Sequence, residues 1–137
     1  MKLPANPRAR AREARAIIAK TFKFSAAHFL PHVPDGHPCK RMHGHNYTVE
    51  VRLEGPISET DGWVLDFQRI KDVVKPLVDE LDHRTLNQVC GLENPTAELI
   101  AAWFVERLLG LTGGDSRYSY AVRIYETDTC WAEVRSA

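Results

Sequence analysis

The chain has 137 residues, 44% of them hydrophobic and 26% charged, which suits one globular domain with a sizeable core. Its 18 basic and 18 acidic side chains give a formal net charge of zero, so we expect neither nucleic acid nor a membrane surface as a partner. No apolar run approaches the roughly 20 residues that a membrane span needs. Three cysteines without a framework spacing favour a reducing compartment, so we expect a cytoplasmic protein.

The N-terminal segment differs from the rest in charge. Residues 1–16 carry five basic side chains and one acidic side chain, a net charge of +4. The segment lacks an apolar stretch of the length found in signal peptides. We predict a flexible basic extension over residues 1–16, with an interaction arm as the alternative, and a single domain over residues 17–137.

Alternating apolar and polar residues predict two strands in the first part of the domain. Residues 17–29 contain the alternation TFKFS, and residues 45–54 alternate again over their whole length. Residues 31–42 hold three prolines and one glycine, which predicts a loop between the two strands. Gly55 and Pro56 are expected to end the second strand.

Two helices are predicted in the middle of the chain. Asp66 is the expected N-cap of the first helix, since apolar residues recur at helical spacing over residues 67–81. Pro76 lies inside this helix and is expected to kink or split it. Asn94-Pro95 is expected to begin a second helix that runs to Gly110.

The last part of the chain predicts two more strands. Residues 118–126 and 129–135 alternate in polarity, and Thr127 and Asp128 are the expected connection. Strands and helices in separate pairs, in the order ββααββ, predict an α+β fold. Its four-stranded antiparallel sheet would carry both helices on one face.

Three histidines are expected to meet where the first two strands adjoin. His43 and His45 are two residues apart in a strand, so their side chains point to the same face. His28 ends the first strand and would lie beside them if the two strands pair antiparallel. Three imidazoles with one open position are typical of catalytic zinc, whereas the alternative is a pair of surface imidazoles beside a turn. His32 and His37 compete as ligands, but both lie in the proline-rich loop and are interpreted as solvated.

The spacing leaves the role of Cys39 open. As a fourth ligand, Cys39 would close the site and indicate structural zinc. As a thiolate beside the metal, favoured by the neighbouring Lys40 and Arg41, it could act as a general base. Cys90 and Cys130 are interpreted as structural thiols because neither lies in a motif with a base.

These motifs resemble the superfamily of 6-pyruvoyltetrahydropterin synthase and 6-carboxytetrahydropterin synthase. The pattern C-x3-H-G-H follows FSAAH and precedes a strand. The resemblance continues through TDGWVLDF (60–67), LDHRTLN (81–87), ENPTAE (93–98) and YETD (125–128). It spans roughly residues 20–134, with the motifs in the order found in the family.

The resemblance implies roles for nine residues. The zinc ligands of the family match His28, His43 and His45. Its catalytic residues match Cys39, Asp82 and His83. Its residues near the pterin match Glu126, which anchors the ring, and Thr96 and Glu98.

Five of these residues also have a plainer interpretation. Asp82 and His83 can be a surface carboxylate and a favourable charge at a helix end. Glu126 can be a charge at the end of a strand. Thr96 and Glu98 can be a capping element at a helix start.

The resemblance implies the substrate 7,8-dihydroneopterin triphosphate and a choice between two reactions. The pyruvoyl branch eliminates triphosphate, and the carboxy branch also releases acetaldehyde and gives 6-carboxy-5,6,7,8-tetrahydropterin for queuosine and 7-deazaguanine synthesis. Three residues separate Cys39 from His43, as in bacterial carboxy-branch enzymes, whereas animal pyruvoyl enzymes resemble C-x5-H-G-H. We therefore predict the carboxy branch, with the pyruvoyl branch as the alternative. Cys39 argues against a variant class that has glutamate in its place.

The resemblance also implies the tunnelling fold, in which sheets join edge to edge into a barrel. The expected assembly is a homohexamer of two trimers with active sites between subunits, so Asp82 and His83 would serve a neighbouring subunit's Cys39. Candidate cations for the triphosphate are Lys23, Lys40, Arg41 and Arg69. Two other hypotheses are a zinc-stabilised binding protein without turnover and a zinc hydrolase in which Cys39 is incidental.

Overall fold

Four antiparallel strands form one sheet, in the order in which they occur along the chain. The structure is a computed structural model that describes residues 14–136. Its strands are β1 (Arg15–His28), β2 (His43–Pro56), β3 (Ser119–Thr127) and β4 (Cys130–Arg135). Its helices are α1 (Phe67–Leu81) and α2 (Ala97–Arg107). The predicted ββααββ order and α+β class are confirmed.

The apolar residues of the alternating segments form the core between the sheet and the helices. Tyr47, Val49, Val51 and Leu53 are buried along β2, and the residues between them are only partly buried. This alternation is expected where one face of a sheet is covered and the other is not. The pattern that predicted the strands therefore also determines which face the helices cover.

Helix α1 begins as predicted and is not split. The Asp66 carboxylate accepts a hydrogen bond from the Gln68 backbone N–H at 2.9 Å, which satisfies one donor of the first turn. Pro76 lies within a helix that continues from Phe67 to Leu81, so the predicted split does not occur. Four residues at helical spacing are buried against the core: Ile70, Val74, Val78 and Leu81.

Helix α2 begins later than the sequence predicted. Its N-cap is Thr96, whose side-chain oxygen accepts from the Leu99 N–H at 3.2 Å, so the prediction of a start at Asn94 was wrong. Proline disfavours a helical conformation in the residue before it, which keeps Asn94 outside the helix. The helix also ends at Arg107 rather than at Gly110.

The boundaries of the first two strands extend beyond the prediction. Strand β1 starts at Arg15, so the last two residues of the predicted extension belong to the sheet. Residues 1–13 lie outside the described part of the chain. Strand β2 includes both Gly55 and Pro56, and Arg15 pairs with Pro56 at the far end of the ladder.

The sheet face opposite the helices is charged and crossed by ion pairs. Arg52 contacts Glu50 at 2.7 Å, and Glu133 contacts both Arg123 at 3.2 Å and Arg135 at 3.0 Å. The same face also exposes the apolar side chains of Ile17 and Trp131, so it is charged without being uniformly polar. Within residues 14–136, no helix is long and apolar enough to cross a membrane.

Candidate active site

The pairing of β1 with β2 brings three histidines together. His28 is the register partner of His43, and His45 follows two residues later on the same face. The Nε2 atoms of His28 and His43 are 3.0 Å apart, and one nitrogen of each of the three rings lies within 4.8 Å of the others. His28 is fully buried, with 0% exposure. The predicted convergence is confirmed, and the three rings can hold one metal ion.

Backbone carbonyls determine which nitrogens of this cluster carry protons. His28 Nδ1 donates to the Pro95 carbonyl at 2.8 Å, and His43 Nδ1 donates to the Arg41 carbonyl at 2.7 Å. Burial lowers the pKa of His28 and of His45, which favours neutral rings. With Nδ1 of each ring donating to a carbonyl, Nε2 is the free nitrogen of both His28 and His43, and these two atoms lie 3.0 Å apart. This spacing suits two ligands of one cation, and metal-bound histidines commonly donate their other nitrogen to a carbonyl.

A carboxylate and a phenol border the cluster. Glu126 Oε1 lies 3.3 Å from His28 Nε2 and 3.5 Å from His45 Nε2, so negative charge adjoins the place where a cation fits. The Tyr47 hydroxyl lies 3.3 Å from His28 Nδ1. Burial, reinforced by the charge of Glu126, raises the pKa of Tyr47, which therefore remains a neutral phenol. The contact of Glu126 with a pterin stays a prediction.

Cys39 lies in a short 3₁₀ turn (Pro38–Lys40) whose backbone is held at both ends. Its N–H donates to His37 Nδ1 at 3.0 Å, and its carbonyl accepts from the Leu30 N–H at 2.8 Å. His37 is thus the N-cap of the turn that carries the thiol, a contact that its interpretation as a solvated side chain missed. The only feature of the sequence that could have indicated this cap is the position of His37 directly before Pro38.

The thiol stands apart from the metal cluster. Among the described residues, the group that can share one metal consists of three imidazoles and does not include Cys39. The structure therefore does not place Cys39 as a fourth ligand, and its role as a base stays a prediction. The neighbouring Lys40 pairs with Asp35 at 2.5 Å and also donates to the Val33 carbonyl at 3.2 Å, so it braces the loop.

Asp82 and His83 form the predicted pair directly after α1. Asp82 Oδ1 lies 3.0 Å from His83 Nδ1 and accepts from the Ser25 N–H at 2.9 Å. The Ser25 N–H, and then His83, lower the pKa of Asp82. His83 has a φ of 59°, in the left-handed region that bulky residues rarely adopt, and its side chain is 82% exposed. Strain of this kind at a polar, accessible residue is often found at functional sites.

The segment that carries this pair runs along the outer edge of β1. The His83 N–H donates to the Ser25 carbonyl at 2.6 Å, and the Ala27 N–H donates to the Arg84 carbonyl at 3.0 Å. An open cleft of about 460 Å³ beside this edge is lined by both His45 and His83. A candidate metal ligand and a member of the predicted acid–base pair therefore border the same cleft.

The remaining predicted residues lie outside this cluster. The Thr96 hydroxyl caps α2, and Glu98 is an exposed residue of the first turn of that helix, so their contact with a ligand stays a prediction. Lys23, Arg41 and Arg69 are exposed, and their role in binding triphosphate also remains a prediction.

Comparison with known proteins identifies the family. The sequence model described as 6-pyruvoyl tetrahydropterin synthase matches residues 17–137, and the chain belongs to this family. It is therefore an enzyme of the pterin-synthase class, as the motifs had indicated.

Individual relatives have differing activities. A 6-carboxy-5,6,7,8-tetrahydropterin synthase of Synechocystis is 44% identical over 121 residues, 82% of this chain and 88% of that protein. A dihydroneopterin monophosphate aldolase of Pyrococcus furiosus is 45% identical over 76 residues, 56% of this chain and 63% of that protein. The structure of the 6-pyruvoyl tetrahydropterin synthase of Caenorhabditis elegans matches with a TM-score of 0.81 and 27% identity over 92% of this chain and 99% of that one. Family membership therefore defines the fold and the class of chemistry but leaves the particular reaction open.

Proposed function

We propose that this chain is a zinc-dependent lyase that converts 7,8-dihydroneopterin triphosphate and water into 6-carboxy-5,6,7,8-tetrahydropterin, acetaldehyde and triphosphate. The product would serve 7-deazaguanine and queuosine synthesis. The observation that carries the proposal is a three-imidazole metal site with a separate thiol four residues before its second ligand. The similarity to the Synechocystis carboxy-branch enzyme over most of both chains supports the choice of reaction.

The donor set suits zinc, which accepts three neutral imidazoles and leaves a position for a substrate. When bound, zinc would supply Lewis-acid polarisation of the hydroxyls on the substrate side chain. Glu126 can accept two hydrogen bonds from the 2-amino group and N3–H of the pterin, which would orient the ring beside the metal.

Proton transfer falls to the thiol and to the Asp82–His83 pair. As a thiolate, Cys39 would remove a proton from the side-chain carbon next to the C=N bond of the ring, and the ring would accept the electron pair and a proton at its nitrogen. Triphosphate would leave in a later step, when the next side-chain carbon loses its proton and the electron pair of that C–H bond forms a new C=C bond. The Asp82 carboxylate lies 3.0 Å from His83 Nδ1 and so orients an imidazole that can relay a proton or tune the thiol. The exposure of His83 leaves its ring accessible to a ligand.

We further propose a homohexamer of two trimers with active sites between subunits. Strands β1 and β4 are the two outer strands of the sheet, and unpaired edges are commonly covered by association. The 82% exposure of His83 suits a residue whose site is completed by a neighbouring subunit. A cytoplasmic location suits the three cysteines, which are all free.

The test is identification of products after zinc-loaded protein is incubated with 7,8-dihydroneopterin triphosphate. Mass spectrometry should detect 6-carboxytetrahydropterin and acetaldehyde in equal amounts with wild type and with Cys90→Ala. Both products should be absent with Cys39→Ala. A 6-pyruvoyl product without acetaldehyde would instead assign the chain to the pyruvoyl branch. Turnover that survives Cys39→Ala would indicate a hydrolase, and no turnover with zinc bound by four ligands including Cys39 would indicate a binding protein.

A further inference from the structure

One side-chain amide ties together the two segments that hold His28. Asn87 lies in the short 3₁₀ turn Leu86–Gln88. Its Oδ1 accepts from the Phe29 N–H at 3.0 Å, and its Nδ2 donates to the Phe29 carbonyl at 2.8 Å. Nδ2 also lies 3.4 Å from the Glu93 carbonyl, to which it donates. The amide thus uses its acceptor and both of its donors on backbone groups.

Both segments, the end of β1 and the loop that contains Glu93, adjoin the buried imidazole of His28. Phe29 follows His28 in the chain, so the amide holds the backbone at the end of β1. Glu93 lies two residues before Pro95, whose carbonyl accepts from His28 Nδ1 at 2.8 Å. Asn87 therefore connects the strand that carries the ring with the loop that determines which ring nitrogen is protonated.

The position of Asn87 also continues the pairing along the edge of β1. The backbone groups of Ser25 and Ala27 bond to residues 82–84, and Phe29 is the next residue in this alternation. The N–H and the carbonyl of Phe29 do not bond to the backbone of residues 82–84. They bond to the Asn87 side-chain amide, which supplies one acceptor and one donor. The strand end next to the metal ligand is consequently held by a side chain.

We propose that Asn87 is a positioning residue for the metal site, which holds His28 and its carbonyl partner in the geometry that binds the ion. The inference rests on the metal site proposed above. Partners in the second coordination shell of a metal typically change its affinity by about 10- to 100-fold. We expect an effect of that size from Asn87.

The test compares Asn87→Asp with Gln88→Glu in the full chain. Aspartate keeps the size and the acceptor for the Phe29 N–H but turns an oxygen toward the carbonyls of Phe29 and Glu93. Gln88 is exposed in the same turn, so its change to glutamate adds the same charge without touching these bonds. An added negative charge alone would strengthen cation binding, so the expected loss of affinity has the opposite sign to the simple charge effect.

Zinc affinity is measured by competition with a chelator, without substrate, so that the result does not depend on turnover. We expect the dissociation constant of Asn87→Asp to rise about 10- to 100-fold. That of Gln88→Glu should stay at or below the wild-type value, because its added charge attracts the cation. At saturating Co²⁺, the visible absorption band of the Asn87→Asp protein should differ in shape from that of wild type, because the ligand geometry has changed.

Two further variants separate positioning from loss of stability. Val89→Ala weakens packing next to the same turn and should leave both the zinc affinity and the Co²⁺ band unchanged. Asn87→Ala removes the hydrogen bonds without adding charge, and it replaces Asn87→Asp if that variant does not fold. Wild-type affinity together with a wild-type Co²⁺ band in either Asn87 variant would overturn the inference but leave the proposed reaction standing. A wild-type chain that binds no zinc would overturn the metal site and the inference together, whereas zinc binding without turnover would overturn the proposed reaction alone.

Discussion

The histidine cluster and the Asp82–His83 corner are both attached to the end of β1, but they are held in different ways. His28 and His43 are partners in a paired ladder, and His28 is fully buried. Asp82 and His83 lie on a turn along the opposite edge of the same strand, where His83 is 82% exposed and has a φ of 59°. The cluster is thus placed by the register of the sheet, and the corner by a few hydrogen bonds to Ser25 and Ala27.

This difference matches the tasks that we propose for the two regions. A metal ion needs ligands whose positions vary little, and facing residues of two paired strands provide this. A group that transfers protons must reach a substrate, so it benefits from exposure and from a backbone conformation kept against its intrinsic preference. Mutations in the cluster should therefore affect metal binding, and mutations in the corner should affect turnover.

The largest expected effect follows from removal of a cluster ligand. His28→Ala leaves two imidazoles, so zinc affinity should fall by more than the roughly 10- to 100-fold that is typical of changes around the ligands. Zinc content after dialysis and chelator competition measure this loss. His32→Ala, in the exposed part of the loop, is the matched control and should retain zinc. A His28→Ala protein that keeps one tightly bound zinc would disprove the assignment of the cluster.

The next effect is on the corner and should leave metal binding intact. Asp82→Asn and His83→Gln should each lower kcat by roughly 10²- to 10⁴-fold, the usual contribution of a positioned acid or base. Zinc affinity should remain at the wild-type value in both, which separates the corner from the cluster. Glu80→Gln, an exposed change on the preceding helix, is the control. Unchanged kcat in both corner variants would remove the pair from the proposed mechanism.

The cluster was predictable from sequence because it depends on two simple regularities. Residues two apart in a strand share a face, which places His43 beside His45, and antiparallel pairing brings His28 to the same end. Both regularities act on side chains whose chemistry is visible in the sequence. The order of strands and helices was predictable for the same reason, since polarity alternates along the segments that are buried on one side.

Contacts between side chains and distant backbone could not be predicted in this way. The Pro95 carbonyl that accepts the hydrogen bond from His28 is 67 residues away along the chain, and nothing in its side chain indicates this contact. The Asn87 amide and the His37 cap likewise bind backbone groups, which every residue possesses. Helix α2 starts late, at Thr96, because Pro95 keeps the preceding residue, Asn94, out of the helical conformation. The prediction instead gave more weight to the preference for asparagine as an N-cap.

A smaller effect should reveal the strain at His83. At a positive φ, glycine avoids the steric cost that other residues bear, about 1–2 kcal/mol. Urea unfolding should therefore find His83→Gly more stable than His83→Val by about that amount, although neither should be active. At Thr85, whose φ is −86°, the same pair of substitutions should give the reverse order. The same order at both positions would show that His83 is not strained.

The smallest expected effect is a dependence of stability on pH, in the acidic range, that comes from Asp82. The hydrogen bond from the Ser25 N–H, and then His83, hold the pKa of Asp82 below its ordinary value of 3.8, so the folded state binds this proton less readily than the unfolded state does. The stabilising contribution is therefore present above the unfolded pKa and is lost as the pH falls through the lower folded pKa. Asp82→Asn keeps an oxygen that can accept from the Ser25 N–H, but its side chain does not titrate. In the presence of a chelator, the difference in unfolding free energy between wild type and this variant should be constant near neutral pH and should shrink below about pH 4. A difference that does not change across this range would mean that Ser25 and His83 act on Asp82 through geometry alone.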